Sequence, residues 1–431
     1  MASVCVHGLG YVGLPTAALL ANNGHDVAGF DVDESVVERL ERGAVEVGEP
    51  DLQAYIETAI DAGRLVPTDE VVPADYHLVC VPTPLDFESE TADLSYVRSA
   101  AEGIAGVLRP DDAVILESTV PPGTTEGPVR EVLEATGLTA GEEFHLAYSP
   151  ETVLPGNILQ ELRENDRFVG GIDGESTQRA FELYDPCIDG TVNRAPDAAT
   201  AEFVKLVQNA YRDLNIGFAN ELAKVARDYG VDTRTAIELA NRHSRVDILQ
   251  PGPGVGGHCL PVDPLFLAHG SDSVDLIRTG REVNDSMAGF VVDLVEEHFG
   301  TLADKRLAIF GVAYKGGVDD TRNSPGLRLA RAFRDAAVES EPAVADGGRS
   351  SVETRLHDPH VDDEDGVIGL VDAETALDGA DALVVTADHE EYRAIDPHEA
   401  GERMRDRLLV DTKGLLDADR WRSAGFDVVG L

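Results

Sequence analysis

Lysine is nearly absent from this chain: among 431 residues there are only Lys205, Lys224, Lys305, Lys315 and Lys413. Lysine and arginine together number 35 against 80 acidic residues, a formal net charge of −45. A surface of that sign repels phosphate backbones, which excludes nucleic acid as a partner. No apolar run reaches membrane-spanning length, and the N-terminal residues lack a leader pattern. The expectation is a cytoplasmic protein with no membrane partner. Cysteine is scarce too. Cys5, Cys80, Cys187 and Cys259 show none of the paired spacing of zinc sites or disulfide scaffolds, so no metal is expected. Cys5 and Cys80 lie inside apolar, strand-like runs and are expected in the core.

Hydrophobic residues nevertheless make up 43% of the chain, enough for packed interiors, so the acidic excess belongs to the surface. Such a surface repels itself until salt screens it, and we read the charge as adaptation to a salt-rich, halophilic cytoplasm. The length implies two or three domains.

Short β-branched runs alternate with helical stretches along the N-terminal half. Val4–His7, Asp26–Asp31, His77–Val81 and Ala113–Glu117 read as strands, with helical periods at Thr16–Asn22, Glu34–Arg42 and Tyr96–Val107. That alternation predicts an α/β domain with a parallel sheet. From Ala198 to Tyr229 the chain runs without proline at helical period until Gly230, which predicts one long helix inside an all-α middle. Strand-like runs return at Arg306–Phe310, Thr354–His357, Ala382–Thr386 and Leu408–Asp411, a second α/β domain. The polar stretch Glu339–Glu353 reads as a surface loop.

Gly8-Leu9-Gly10-Tyr11-Val12-Gly13 follows the first strand and opens a helix. This spacing rests a dinucleotide's pyrophosphate on the helix N-terminus, where unpaired amides and the helix dipole favour anions. Asp31 ends the next strand, where a carboxylate binds the ribose hydroxyls of NAD and opposes the extra phosphate of NADP. Two further strand ends, Val81-Pro-Thr83-Pro84 and Glu117-Ser-Thr119-Val-Pro-Pro-Gly123, place Thr83 and Thr119 where a ribose or nicotinamide would lie. Proline-rigid loops with hydroxyls capping a helix account for the same residues.

Lys205, Asn209 and Arg212 stand at i, i+4 and i+7 of the long helix and share a face; Phe203, Val207, Leu214 and Phe218 take the other side. In a chain with so few lysines, that stripe suggests oxyanion stabilisation by Lys205 and substrate contacts from Asn209 and Arg212. Gly254-Val-Gly256-Gly-His-Cys259-Leu-Pro-Val-Asp263 sets a cysteine among glycines, with a histidine beside it and a carboxylate four residues on. A thiolate is a strong nucleophile near neutral pH, and glycines admit a ligand close to the backbone. A glycine-rich turn with a buried cysteine fits that segment equally well. Ser149-Pro-Glu151-Thr152-Val153-Leu-Pro-Gly156 presents Glu151 as a general base or merely as a turn glutamate.

Taken in order, these motifs resemble those of the nucleotide-sugar (UDP-glucose/GDP-mannose) dehydrogenases nearly end to end. They are joined by Glu49-Pro50, Asn220-Glu221, Asn241-Arg-His243-Ser-Arg245, Ala313-Tyr314-Lys315 and Asp319-Asp-Thr-Arg322-Asn-Ser-Pro325. Within the family, His258, Leu260 and Val262 resemble the UDP-N-acetylhexosamine branch, the UDP-N-acetylmannosamine dehydrogenases above all, rather than plain UDP-glucose dehydrogenases. The resemblance implies two Rossmann-like domains joined by a helical one. Residues 1–196 would bind NAD, 197–300 would hold the long helix, the dimer contact and the cysteine loop, and 301–431 would bind the UDP-sugar. It implies a four-electron oxidation of C6 to a carboxylate with two NAD, in a homodimer or homotetramer serving polysaccharide biosynthesis. Cys259 would be the nucleophile, Lys205 the oxyanion or proton-transfer residue, and Glu151, Asp263 and Asn209 would assist water attack. Substrate contacts would come from Glu151, Thr152, Val153, Gly256, Tyr314, Lys315 and Arg322, with His243 and Arg245 reaching a neighbouring subunit. Thr152, where relatives often carry arginine, and Gly316-Gly317, where they usually carry proline, depart from the pattern. A UDP-glucose or UDP-N-acetylglucosamine 6-dehydrogenase, a non-catalytic NAD- or nucleotide-sugar-binding regulator and a two-electron hydroxyacid dehydrogenase are the competing readings.

Overall fold

The computed structural model describes residues 1–45, 49–86, 91–151, 153, 156–339, 352–363, 366 and 368–431. They divide into two compact units, Met1–Gln208 with Leu265–Ser273 and Asn209–Pro264 with Val274–Leu431.

In the first unit the strands are β1 (Ser3–His7), β2 (Asp26–Phe30), β3 (Leu65–Thr68), β4 (Tyr76–Val79), the short antiparallel pair β5 (Leu85–Asp86) and β6 (Thr91–Ala92), β7 (Ala113–Leu116), β8 (His145–Tyr148), β9 (Arg167–Gly171) and β10 (Val192–Arg194). All but β5 and β6 form one sheet in the order β10-β9-β8-β7-β4-β1-β2-β3. Its neighbours pair in parallel, as expected, except β8 with β9. The β-branched runs are apolar on both sides because both sheet faces are covered. Val4, Val6 and Ile115 pack with Ala17 and Leu20 of helix Gly13–Asn22 on one face. On the other, Val79, Val114 and Leu116 meet Val97, Ala101 and Ile104 of helix Ser95–Ala105. That second face also holds a polar pair, His7 Nε2 and His77 Nδ1, 3.2 Å apart and fully buried.

The second unit has a five-stranded, all-parallel sheet of β11 (Arg306–Phe310), β12 (Glu353–His357), β13 (Ala382–Val385), β14 (Leu408–Asp411) and β15 (Asp427–Gly430), in the order β12-β11-β13-β14-β15. Helix Met287–Phe299 sets Val291 and Val295 against Leu329 and Phe333 of helix Pro325–Glu339. The expected loop at 339–353 falls largely on residues outside those described; at its ends the helix reaches Glu339 and β12 begins at Glu353.

The long helix spans Ala198–Tyr229, as the pattern predicts, and Gly230 closes it at φ +67°. Its faces are used in an unexpected sense. Lys205 is buried at 9% exposure, whereas Phe203 and Phe218 of the apolar side are 49% and 51% exposed. The buried side is lined by Ala198, Ala201, Ala210, Ala219 and Ala223. Such small side chains leave room for a polar residue between them.

Candidate active site

The turn after β1 is shaped by close backbone packing. Gly8 has φ +94°, and a Cβ there would lie 2.6 Å from the Cys80 carbonyl oxygen; one on Gly13 would lie 1.8 Å from that of Gly8. Gly10 differs: a Cβ on it would meet no protein atom within 4 Å. Protein packing therefore does not demand a glycine here, and the open space lies where a dinucleotide's pyrophosphate would rest. The helix that begins at Gly13 has no side-chain cap at Val12, which leaves its N-terminal end open to an anion, with Tyr11 exposed beside it. Asp31 accepts from the Leu9 amide (2.7 Å) and the Asp33 amide (3.0 Å), tying the end of β2 to this turn. These residues fit NAD.

Thr83 Oγ1 donates to the Thr119 carbonyl (2.7 Å), so both threonines already serve the loop architecture. Behind them lies a buried cluster that sequence reasoning missed. Glu117 accepts from Arg167 Nη1 (2.9 Å), Tyr184 hydroxyl (2.5 Å) and Cys80 Sγ (3.3 Å), and the Arg167 guanidinium stacks 4.5 Å from the Tyr184 ring centroid. Glu151 stands near enough for Lys205 and Arg167 to act on it electrostatically. Burial raises its carboxyl above the ordinary value, against the pull of those cations and of the Val153 amide that it accepts. A carboxylate so placed is a stronger base than one in water. Glu49 holds the far end of this segment by accepting from the Gly156 (2.6 Å) and Ile158 (2.8 Å) amides. Thr152 lies outside the described residues.

In the second unit the cysteine loop is clamped along its length. The Asp263 amide donates to the Cys259 carbonyl (2.8 Å), and the buried Asp263 carboxylate accepts from Asn209 Nδ2 (2.6 Å). Gly257 donates to the Arg322 carbonyl (2.8 Å) and its own carbonyl accepts from Asn323 Nδ2 (2.8 Å). A Cβ on Gly256 would stand 2.8 Å from the Asn323 carbonyl oxygen and from Tyr314 Cβ, so this glycine is demanded by packing. Burial, aided by the charges of Asp320 and Cys259, pushes the Tyr314 hydroxyl up to about 12 and keeps it a donor. Arg322 is paired with Asp320 (2.6 Å) and lies within electrostatic reach of Cys259. Cys259 is the exposed cysteine; Cys5, Cys80 and Cys187 are buried.

At the loop's base, Asn220 accepts from the Gly252 amide (2.8 Å) and donates to Asn284 (2.8 Å). Asn284 in turn donates to Asp213 (2.8 Å), which pairs with Arg281 (2.5 Å). Sequence reasoning named neither Asn284 nor Asp213, which are ordinary polar residues on helices until the fold buries them. Lys315 is half-buried, while Arg212, His243 and Arg245 are exposed, the last two in the turn after helix Thr233–Ala240.

Family models of the UDP-glucose/GDP-mannose dehydrogenases match the chain in three stretches: the NAD binding domain over residues 2–188, the central domain over 199–286 and the UDP binding domain over 308–418. A UDP-N-acetyl-D-mannosamine dehydrogenase of Methanocaldococcus jannaschii is 40% identical over 99% of this chain and 96% of its own. An NDP-N-acetyl-D-galactosaminuronic acid dehydrogenase of Ralstonia solanacearum is 39% identical over 97% of each. Among solved structures, that of a Pyrococcus horikoshii UDP-D-ManNAc dehydrogenase superposes with a TM-score of 0.90 at 37% identity, covering 99% of this chain and 98% of that one.

Proposed function

Because the chain belongs to the UDP-glucose/GDP-mannose dehydrogenase family and is an NAD-dependent oxidoreductase of nucleotide sugars, we propose that it oxidises C6 of UDP-N-acetyl-D-mannosamine to UDP-N-acetyl-D-mannosaminuronate through a thioester on Cys259. NAD, when bound, accepts a hydride from C6 in each of the two oxidations. The first leaves the C6 aldehyde. The Cys259 sulfur then adds to the carbonyl carbon, and loss of the second hydride from this thiohemiacetal gives the thioester. Water cleaves it, releasing the carboxylate and the thiol.

Lys205 stabilises the oxygen at C6 as charge develops there and takes up or returns its proton. Glu151 serves as base toward the hydroxyl or the attacking water, and Asp263, held by Asn209, keeps the Cys259 turn in place. Tyr314, Lys315 and Arg322 bind the nucleotide-sugar, the two cations suiting its phosphates; Arg212, His243 and Arg245 add further polar contacts. The observation that carries this reading is the anchored, exposed Cys259 within electrostatic reach of Arg322. The Ralstonia relative favours a second sugar, an N-acetylgalactosamine nucleotide, under the same chemistry.

The test is NADH formed per sugar over a panel of UDP-sugars in high salt, with Cys259→Ala beside the wild type. Two NADH per UDP-N-acetylmannosamine and an inactive variant are expected. Uronate formation by Cys259→Ala near the wild-type rate would discard the thioester, and a preference for another sugar would reassign the substrate.

The division at 1–196, 197–300 and 301–431 belongs to the same reading, as does a role in polysaccharide biosynthesis. The exposed Phe203, Val207, Tyr211 and Phe218, spaced by four and seven residues on the long helix, suit burial against a second copy in a homodimer or homotetramer. No helix among the described residues is long and apolar enough to cross a membrane, in keeping with a cytoplasmic enzyme. Its halophilic character is checked by melting temperature, expected to fall steeply in dilute buffer; an unchanged value would count against salt adaptation.

A further inference from the structure

Three residues before Lys205, the long helix carries Glu202, fully buried. Its carboxylate points at one loop and takes three donors from it: the Gly123 amide (2.5 Å) on one oxygen, and the Thr125 amide (2.9 Å) and hydroxyl (2.6 Å) on the other. The loop is built to present them. Gly123 has φ +90°, and Thr125–Val129 winds as a wide π-turn, a form that recurs at functional sites. Its other end, just beyond β7, is laced to the loop after β4. Ser118 Oγ accepts from the Val81 amide (2.9 Å) and donates to the Val81 carbonyl (2.7 Å), and Thr83 binds Thr119.

We propose that Glu202 is a positioning residue that locks the Thr119–Thr125 loop, on the cofactor side, in register with the helical turn bearing Lys205. Residues 202 and 205 lie one turn apart, so the helix transmits any shift of the loop to the Lys205 ammonium and to Glu151 beside it. Packing alone does not call for a carboxylate here. Burial raises the Glu202 carboxyl to about 7 despite its three donors, so its ionised form near neutrality works against folding. A group retained at a cost to stability is expected where geometry matters more. The inference rests on the reading that Lys205 acts at the C6 oxygen and that the Thr119 loop lies against the ribose or nicotinamide of NAD.

Glu202→Gln keeps the volume but turns an amide N–H toward one of the loop donors. The expected result is a kcat lower by about 100-fold, the scale for a misplacement of about 1 Å, with the KM for UDP-sugar unchanged. NADH should bind more weakly in a measurement without turnover, and the isotope effect with C6-deuterated substrate should rise. Thr125→Val, which loses one donor, should show a smaller form of the same pattern, and Thr125→Ser should behave as wild type. Should Glu202→Gln fail to fold, Thr125→Val against Thr125→Ser decides. Wild-type kcat and NADH affinity in the folded variants would overturn the proposal, as would a loss of kcat that only tracks a lowered melting temperature. Cys259→Ala separates the two readings. If it is inactive while Glu202→Gln is normal, only the positioning role falls. If it still forms uronate while Glu202→Gln weakens NADH binding, only the thioester falls.

Discussion

β1 and β11 each run into a glycine at positive φ, Gly8 at +94° and Gly311 at +108°, and each leads to a helix whose early glycine packs on that residue's carbonyl. A Cβ on Gly13 would lie 1.8 Å from the Gly8 oxygen, and one on Gly326 would lie 2.1 Å from the Gly311 oxygen. The two sheets therefore solve strand-to-helix packing in the same way. They differ in what lies between the glycines. In the first unit it is Leu9–Val12, a bare cradle with Gly10 open to a ligand. In the second it is Val312–Pro325, an excursion that brings Tyr314, Arg322 and Asn323 onto the cysteine loop. Backbone packing fixes the turn, and the insertion decides its chemistry.

Their buried polar groups differ as well. The first sheet encloses the neutral pair His7 and His77; burial lowers their pKa to about 3 and about 4. The second encloses the Asp358 carboxylate, which accepts from the Val312 (2.7 Å), Ala313 (2.8 Å), His360 (2.9 Å) and Val361 (3.2 Å) amides and from His389 (3.0 Å). Burial opposes its charge, yet those bonds bring its pKa down to about 2. His389 Nδ1 also accepts from Gly317 (3.2 Å) and Asp388 from Gly316 (3.1 Å), so the Gly316-Gly317 pair is held by its amides.

The contrast is most exposed to acid. Below pH 6.5 the unfolded histidines take up protons that the folded pair refuses until about pH 4, so their contribution is lost as pH falls. At about 1.4 kcal/mol per pH unit for each histidine, the first unit should lose up to about 4 kcal/mol between pH 6.5 and about pH 5. Asp358 contributes its full stabilisation above its ordinary value of 3.8 and loses it as pH falls from there through about 2. Urea titrations across this range, read by hydrogen exchange in each sheet, should show the first unit failing earlier. Parallel loss in both would remove the distinction, and His7→Phe with His77→Leu should flatten the slope.

Gly13→Ala and Gly326→Ala come next, each expected to cost about 3 kcal/mol by overpacking. A melting temperature unchanged in either would mean that its turn can relax. Asp358→Asn should cost about 2 kcal/mol at neutral pH, the worth of a pKa shift from 3.8 to about 2. The variant should also raise the KM for UDP-sugar through the Tyr314 excursion; a normal KM would limit Asp358 to stability. Gly10→Ala is the smallest in stability, within about 0.5 kcal/mol, because its Cβ meets nothing in the protein. It should nevertheless weaken NADH binding, and unaltered binding would show that the cradle lies elsewhere.

Where periodicity was strong, the elements were legible: the long helix matched end to end, and β1, β2, β4 and β7 within about two residues. The strands β3, β8 and β9 were not read, because Leu65-Val-Pro-Thr68, His145-Leu-Ala-Tyr148 and Arg167-Phe-Val-Gly-Gly171 are short runs, interrupted by proline, opened by histidine or bracketed by arginine and glycine, that only sheet pairing turns into strands. Glu202 was not read, because its i, i+4 spacing from Ala198 and to Leu206 names a face of the helix without saying that this face is the buried one.

The residues alone determined the α/β class, the glycine cradle with Asp31 and the singular setting of Cys259, because each is a local pattern of spacing and backbone freedom. Tertiary structure decided which polar groups are buried and with whom: Glu202 on the Gly123 loop, Asn209 on Asp263, Asn220 and Asn284 under Gly252, His389 on Asp358. The physical reason is that burial changes a side chain's charge and partners through residues far away in the chain. A long helix that hides Lys205 while baring Phe203 and Phe218 cannot be told by its own period from one turned the other way.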